Sequence, residues 1–105
     1  MNNTELLKGI LEGCILEILK KKENYGYGIT KELKEMGFTN IVEGTVYTIL
    51  IRLEKKELVI SKLKKSKAGP YKKIYMINEN GKEKLIEFWN DFNEINKILK
   101  KIKEK

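Results

Sequence analysis

Histidine is absent from the 105 residues, and aspartate and cysteine occur once each, as Asp91 and Cys14. Without histidine, Ser-His-Asp and Cys-His catalytic systems and nearly all zinc sites are excluded. A single cysteine cannot form an internal disulfide, which fits a reducing compartment. We therefore expect no enzyme activity, no bound metal and no cofactor.

Long apolar runs are also missing. No segment approaches the roughly 18 consecutive apolar residues of a membrane span. No apolar stretch with a small-residue cleavage site follows the N-terminus, so no secretion signal is recognised. With 41% hydrophobic and 35% charged residues, the composition is typical of one small globular domain. We predict a cytoplasmic protein without a membrane partner.

The net charge of +7 is concentrated in one segment. The segment from Arg52 to Lys73 contains nine lysines and arginines but only two glutamates. In the rest of the chain the positive and negative charges are equal in number. A solvated charged face normally mixes both signs. A block of one sign favours a polyanionic partner, either nucleic acid or anionic lipid.

Apolar periodicity predicts a first helix over residues 5–22 and a short second helix over residues 29–36. The glycine-punctuated segment 24–28 between them is predicted as a turn. Besides its wide apolar stripe, the first helix has a second, narrower face formed by Leu6, Gly9, Gly13 and Leu16. Because glycine costs about 1 kcal/mol in a helix, these glycines indicate either close approach of another helix or a tolerated accident.

A third helix is predicted over residues 44–56. Its apolar side chains point one way, toward the core, and comprise Val46, Ile49, Leu50 and Leu53. The other face carries Thr48, Arg52 and Lys55, with Tyr47 and Ile51 on the flank. Hydroxyl, guanidinium and ammonium groups on one exposed face suit contacts with bases and phosphates.

The period then changes to that of strands, predicted at 58–64 and 71–77 with a basic turn at 65–70 between them. Lysines on both arms and at the tip give the hairpin a positive surface: Lys64, Lys65, Lys67, Lys72 and Lys73. Three helices followed by a basic hairpin form a winged helix-turn-helix. The predicted fold class is mainly α with a small β-hairpin.

A last helix is predicted over residues 79–105, with Asn78 as its cap. A heptad seam runs along it, formed by Leu85, Phe88, Phe92, Ile95, Leu99 and Ile102, with Trp89 beside it. A helix of this length spans roughly 35–40 Å and extends beyond a domain of this size. Part of the seam can pack on the first helix, and the remainder needs a partner, most simply a second copy.

These features together resemble the PadR family of bacterial transcriptional regulators, in its short single-domain subgroup. Residues 44–54, Gly-Thr-Val-Tyr-Thr-Ile-Leu-Ile-Arg-Leu-Glu, are similar to the family's Gly-Thr-φ-Tyr-x-φ-Leu-x-Arg-Leu-Glu signature, where φ is apolar. Tyr27-Gly28 and the segment 72–75 follow weaker family patterns. Thr48 stands where many members have proline.

The resemblance implies a homodimeric repressor, with a winged-helix DNA-binding domain at 1–77 and a dimerisation helix at 78–105 packed with helix 5–22. The implied dimer interface comprises Leu6, Gly9, Gly13, Leu85, Phe88, Trp89, Phe92, Ile95, Leu99 and Ile102. In some members an aromatic residue of the last helix binds planar ligands at the dimer axis. Trp89 matches that position, so an aromatic effector near Trp89, Leu6, Gly9 and Gly13 is one alternative, and a plain interface tryptophan is the other.

The implied partner is double-stranded DNA with a palindromic operator. The expected DNA contacts are Thr45, Tyr47, Thr48, Arg52, Lys55, Lys64, Lys65, Lys67, Lys72 and Lys73. Arg52 suits either a guanine or, because it lies late in its helix, a phosphate. Two other interpretations remain open: an adaptor whose hairpin binds an acidic protein or anionic lipid, and an architectural protein that binds DNA without sequence preference.

Overall fold

A computed structural model describes residues 4–67 and 69–105, apart from the side chains of Thr4, Glu5, Lys8 and Ser66. Four helices and three strands follow one another as α1 (Thr4–Lys21), β1 (Asn24–Tyr25), α2 (Gly26–Glu35), α3 (Glu43–Lys55), β2 (Val59–Ser66), β3 (Gly69–Ile77) and α4 (Glu79–Lys103). The strands form one antiparallel sheet in the order β1-β3-β2. The predicted winged helix, mainly helical with a long last helix, is confirmed.

The wing is the hairpin of β2 and β3, paired in register from Val59 with Ile77 to Lys64 with Lys72. Both strands extend further toward the turn than the sequence predicted, and the pairing resumes at Ser66 and Gly69 after an irregularity. The predicted turn at 65–70 is therefore shorter, and its residue Ala68 lies outside the described residues.

The prediction of a plain turn at 24–28 was wrong. Asn24 and Tyr25 form β1 and pair with Tyr75 and Ile74 of β3, and α2 begins at Gly26 rather than at 29. Two residues are too few to produce the alternation by which a strand is recognised. The strand forms because β3 offers an open edge there.

The core is built around α1. Ile15, Leu16 and Leu19 are buried, and α1 packs against α3, β3 and α4. From α3 the core receives Val46, Ile49, Leu50 and Leu53, as the helical pattern predicted. Tyr75 of β3 is the largest fully buried side chain among the described residues.

The start of α4 belongs to the same core. Asn78 caps the helix, as predicted, by accepting a hydrogen bond from the Gly81 backbone N–H at 2.8 Å. Leu85 is only 2% exposed. The seam interface expected from the sequence therefore does not extend to Leu85, because its surface is already covered by its own chain.

The helix approach inferred from the glycines of α1 occurs within the chain at Gly13. Gly13 is buried, and a Cβ there would overlap the Phe88 ring of α4. Gly13 is thus occupied by its own chain and not available to a second one. Gly9 and Leu6, nearer the N-terminus, are exposed.

Beyond Phe88, α4 projects from the domain, and the structure measures 58 × 30 × 21 Å. The apolar side chains exposed along this length are Trp89, Phe92, Ile95, Ile98, Leu99 and Ile102, and Ile86, just before Phe88, is exposed as well. Within the described part of the chain, no helix is both long and apolar enough to cross a membrane.

We predict that Gly13→Ala destabilises the fold by about 1–3 kcal/mol, because the new methyl forces the Phe88 ring out of place. Urea unfolding followed by circular dichroism measures the effect. Gly44→Ala is the matched control, since a Cβ there meets no atom within 4 Å. Equal unfolding midpoints for the two variants would contradict the tight packing at Gly13.

Candidate nucleic-acid interface

The outer face of α3 is defined by the direction opposite its four buried side chains. Gly44, Thr48, Ile51 and Lys55 lie on this face, and all are exposed. At 100° per residue, Thr48 and Ile51 lie about 30° on either side of that direction, whereas Arg52 lies about 70° away. The sequence placed Ile51 on the flank and Arg52 on the outer face; the buried set shows the opposite order.

The Thr48 hydroxyl is already engaged. It donates a hydrogen bond to the Gly44 carbonyl one turn earlier, at 2.9 Å. Such a back-bond uses the hydroxyl proton and leaves the oxygen lone pairs and the methyl group for other contacts. Thr45 lies exposed in the first turn of α3.

Arg52, the one arginine of the sequence, points along the flank of α3 toward α1. Its Nη1 lies 3.6 Å from Glu12 Oε2, and the Lys56 Nζ lies 3.1 Å from Glu12 Oε1. The Arg52 side chain is 48% exposed. Ion pairs this exposed contribute about 0–1 kcal/mol to stability, so they orient the two cations more than they stabilise the fold.

The opposite flank of α3 is joined to the wing through Glu54. The Glu54 carboxylate accepts a hydrogen bond from the Ser61 hydroxyl at 2.7 Å and lies 3.7 Å from the Lys73 Nζ. Lys73 also lies over the Tyr75 ring, 5.8 Å from its centroid. Burial and then the negative charge of Glu54 raise the pKa of Tyr75. These contacts connect α3 to the wing.

The wing carries its lysines outward. Lys64 pairs with Glu23 at 3.5 Å, and the Lys72 Nζ lies 4.7 Å from the centroid of the Tyr25 ring. Lys65 and Lys67, nearer the tip, are exposed. All five wing lysines named from the sequence therefore lie at the surface, and Lys73 reaches α3 through Glu54.

A groove of about 380 Å³ separates α3 from the wing. Its lining contains four of the five tyrosines of the sequence and consists of Tyr25, Tyr27, Glu43, Tyr47, Tyr71, Lys72 and Lys73. Burial and the adjacent Glu43 carboxylate raise the pKa of Tyr47. We call this the tyrosine groove; its phenol and ammonium groups are typical phosphate contacts.

Sequence reasoning missed Tyr25, Tyr27 and Tyr71 as groove residues. The Tyr25 and Tyr27 rings stack with centroids 6.1 Å apart. Gly26 between them allows the Tyr47 ring of α3 to approach, because a Cβ at Gly26 would overlap that ring. The signal was present in the sequence as two tyrosines around a glycine, but only the β1–β3 pairing brings them to the wing.

The second site considered from the sequence lies at α1 and α4. The Trp89 Nε1–H donates a hydrogen bond to Glu17 Oε1 at 2.9 Å, and the Trp89 ring meets Phe88 and Phe92 edge-on. Cys14 of α1 is half-buried, and burial raises the pKa of its thiol. Among the described residues, no group of three His, Cys, Asp or Glu side chains is arranged to hold a metal.

Fold and surface together define a winged-helix protein with a basic wing beside an exposed recognition helix. Residues 15–87 match the Transcriptional regulator PadR-like family, and the chain belongs to that family. It is thus a PadR-family transcriptional regulator.

Individual relatives agree with this placement. An uncharacterised protein of Lysinibacillus sphaericus is 31% identical over 101 residues, covering 94% of this chain and 93% of its own. The structure of a PadR-like transcriptional regulator from Bacillus cereus is similar with a TM-score of 0.83, at 38% identity over 96% of this chain and 98% of that chain. Bacillus subtilis PadR in complex with operator DNA is similar with a TM-score of 0.71, at 26% identity over 79% of this chain and 48% of that chain.

Proposed function

We propose that this regulator binds operator DNA as a homodimer and represses transcription. The observation that carries the proposal is the exposed outer face of α3 next to a lysine-rich wing. The structural likeness to Bacillus subtilis PadR in complex with operator DNA supports it.

In this proposal α3 enters the major groove, which at about 12 Å is wide enough for a helix. Thr48 and Lys55 face the DNA, Thr45 contacts it from the first turn of α3, and Tyr47 lies in the tyrosine groove. The sugar-phosphate backbone runs along that groove, where the tyrosine hydroxyls and the wing lysines contact phosphates. Such contacts supply affinity and orientation but carry no sequence preference.

We expect Lys72→Ala with Lys73→Ala to weaken binding to every duplex alike. The slope of log K against log salt should become shallower by about 1.8, since each phosphate contact contributes about 0.9. Fluorescence anisotropy measures this on a labelled duplex from upstream of the protein's own gene and on a scrambled duplex of equal length. Lys100→Ala with Lys101→Ala on α4 removes the same charge as a control.

The outcomes of this experiment separate the candidate functions. Tight binding of the native duplex alone supports a sequence-specific regulator. Equal binding of both duplexes supports the architectural alternative. A separate measurement with anionic vesicles tests the adaptor alternative, which vesicle binding without duplex binding would support.

Glu12 adds a second prediction, because it holds Arg52 and Lys56 on the flank of α3. This placement favours a phosphate over a guanine as the partner of Arg52. We expect Glu12→Gln to tighten DNA binding and to steepen the salt slope by about 0.9 for each cation released to a phosphate. Glu94→Gln on α4 is the control for loss of one negative charge. Weaker binding by Glu12→Gln would mean instead that the pair positions Arg52 for DNA.

The proposed dimer uses the projecting part of α4. Its exposed apolar residues follow a heptad spacing, which suits packing against a second helix. A two-fold arrangement buries the same patch on both chains and presents two α3 helices to a palindromic operator. The proposed contacts are Leu6, Gly9, Phe88, Trp89, Phe92, Ile95, Leu99 and Ile102.

We expect Ile95→Glu with Leu99→Glu to convert the dimer to a monomer, because two carboxylates would be buried at the seam. Sedimentation equilibrium measures the mass. Asn90→Glu, on the opposite side of α4, should leave the dimer intact. A wild-type protein that sediments as a monomer would contradict the dimer.

We further propose that a planar aromatic compound binding near Trp89 relieves repression. Because Phe88 covers Gly13, the proposed contacts reduce to Trp89, Leu6 and Gly9. Relief requires that the compound bind better to an arrangement of the two α3 helices that does not fit DNA. Titration of aromatic compounds while Trp89 emission is followed tests whether they bind. A compound that releases Trp89→Ala from DNA as effectively as it releases the wild-type protein would contradict the proposal.

A further inference from the structure

The outer face of α3 contains little that forms paired hydrogen bonds with a base. Asparagine and glutamine are absent from α3, and Arg52 is held on the flank by Glu12. Thr48 has used its hydroxyl proton on Gly44. The direct contacts that discriminate bases best are bidentate pairs from arginine, lysine, asparagine or glutamine. Of these residue types the outer face carries Lys55, at the end of α3, and none in its middle.

In their place the middle of the face carries Ile51. Its side chain is 49% exposed, and it lies between Thr48 one turn before and Lys55 one turn after. A single exposed apolar residue is ordinary on a protein surface. Ile51 differs because it lies on the outer face of α3, the helix that enters the major groove in the proposed function.

The major groove presents one apolar group to such a side chain, the 5-methyl group of thymine. Contact between the two removes apolar surface of both from water, which is favourable. Thr48, one turn before Ile51 on the same face, adds a methyl group and no charge. The N-terminal side of Ile51 therefore carries no charged group on this face.

We propose that Ile51 selects thymine in each operator half-site through contact with its 5-methyl group. This inference rests on the proposed function, since it assigns the specificity of the same helix. It makes Ile51 the specificity-determining residue of α3, with Lys55 and the wing supplying phosphate contacts around it.

The test starts from duplexes enriched from a random pool by the wild-type protein. Each thymine of the enriched half-site is replaced in turn by deoxyuridine, which keeps every hydrogen-bonding group and lacks only the methyl. Anisotropy then gives the affinity for each duplex. Wild-type protein should lose about fourfold at the position facing Ile51, the value of one buried methyl group.

Ile51→Ala should bind the thymine and uracil duplexes equally, because it cannot reach the methyl group. The variant keeps its fold, since Ile51 lies outside the core, and circular dichroism checks this. Ile60→Ala is the matched control, because Ile60 of β2 is 48% exposed and alternates with Ser61, which faces α3. It should retain the fourfold discrimination.

Two results overturn the proposal while leaving sequence-specific binding intact. One is an enriched duplex on which uracil replaces every thymine without loss of affinity. The other is discrimination that persists in Ile51→Ala. If instead no sequence is enriched and scrambled duplexes bind equally well, the proposed function fails and this inference fails with it.

Discussion

The apolar contact of α1 with its three neighbours is the constraint on which the rest of this structure depends. Ile15, Leu16 and Leu19 are buried where α1 meets α3, β3 and α4. Removing this helix would leave the inner face of α3 and the start of α4 without a common core. The direction of the outer face of α3, and the place where α4 leaves the domain, both follow from how these helices pack on α1.

The same helix also connects the two surfaces by polar contacts. Glu12 reaches Arg52 and Lys56 at the end of α3, and Glu17 accepts the hydrogen bond from Trp89 of α4. Glu12 and Glu17 lie little more than one turn apart on α1, so both surfaces contact the same short segment of this helix. A regulator of 105 residues thus has a short physical path between its proposed DNA-binding and dimer surfaces.

Charge and shape are divided between the parts of the proposed interface. The lysines of the wing provide a positive surface whose partner glutamates, Glu23 and Glu54, lie at its base and hold it against the domain. The outer face of α3 carries small and apolar groups near its middle. Affinity from the wing and selectivity from α3 are therefore separable, because Coulomb attraction does not distinguish bases whereas close contact does.

The helices could be predicted from the sequence because burial imposes a repeat on their apolar residues. The core side of α3, the long α4 and the wing all follow from such patterns. Membership of the PadR family also follows from the sequence. Its signature includes Leu50 and Leu53, which are buried in the core, and Glu54, which joins α3 to the wing. These are local features, set by residues close together in the chain.

Features that depend on contacts between distant segments were decided only by the tertiary structure. The strand β1 exists because β3 has an open edge, and the tyrosine groove exists because β1 is there. Gly13 and Leu85 are covered by their own chain because α4 folds back on α1. Arg52 lies on the flank of α3 by its position relative to the buried residues, and Glu12, forty residues earlier, orients its side chain toward α1 at 3.6 Å. The sequence alone determined which residues are apolar, charged or small, but which partner each one meets depends on the packing of elements far apart in the chain.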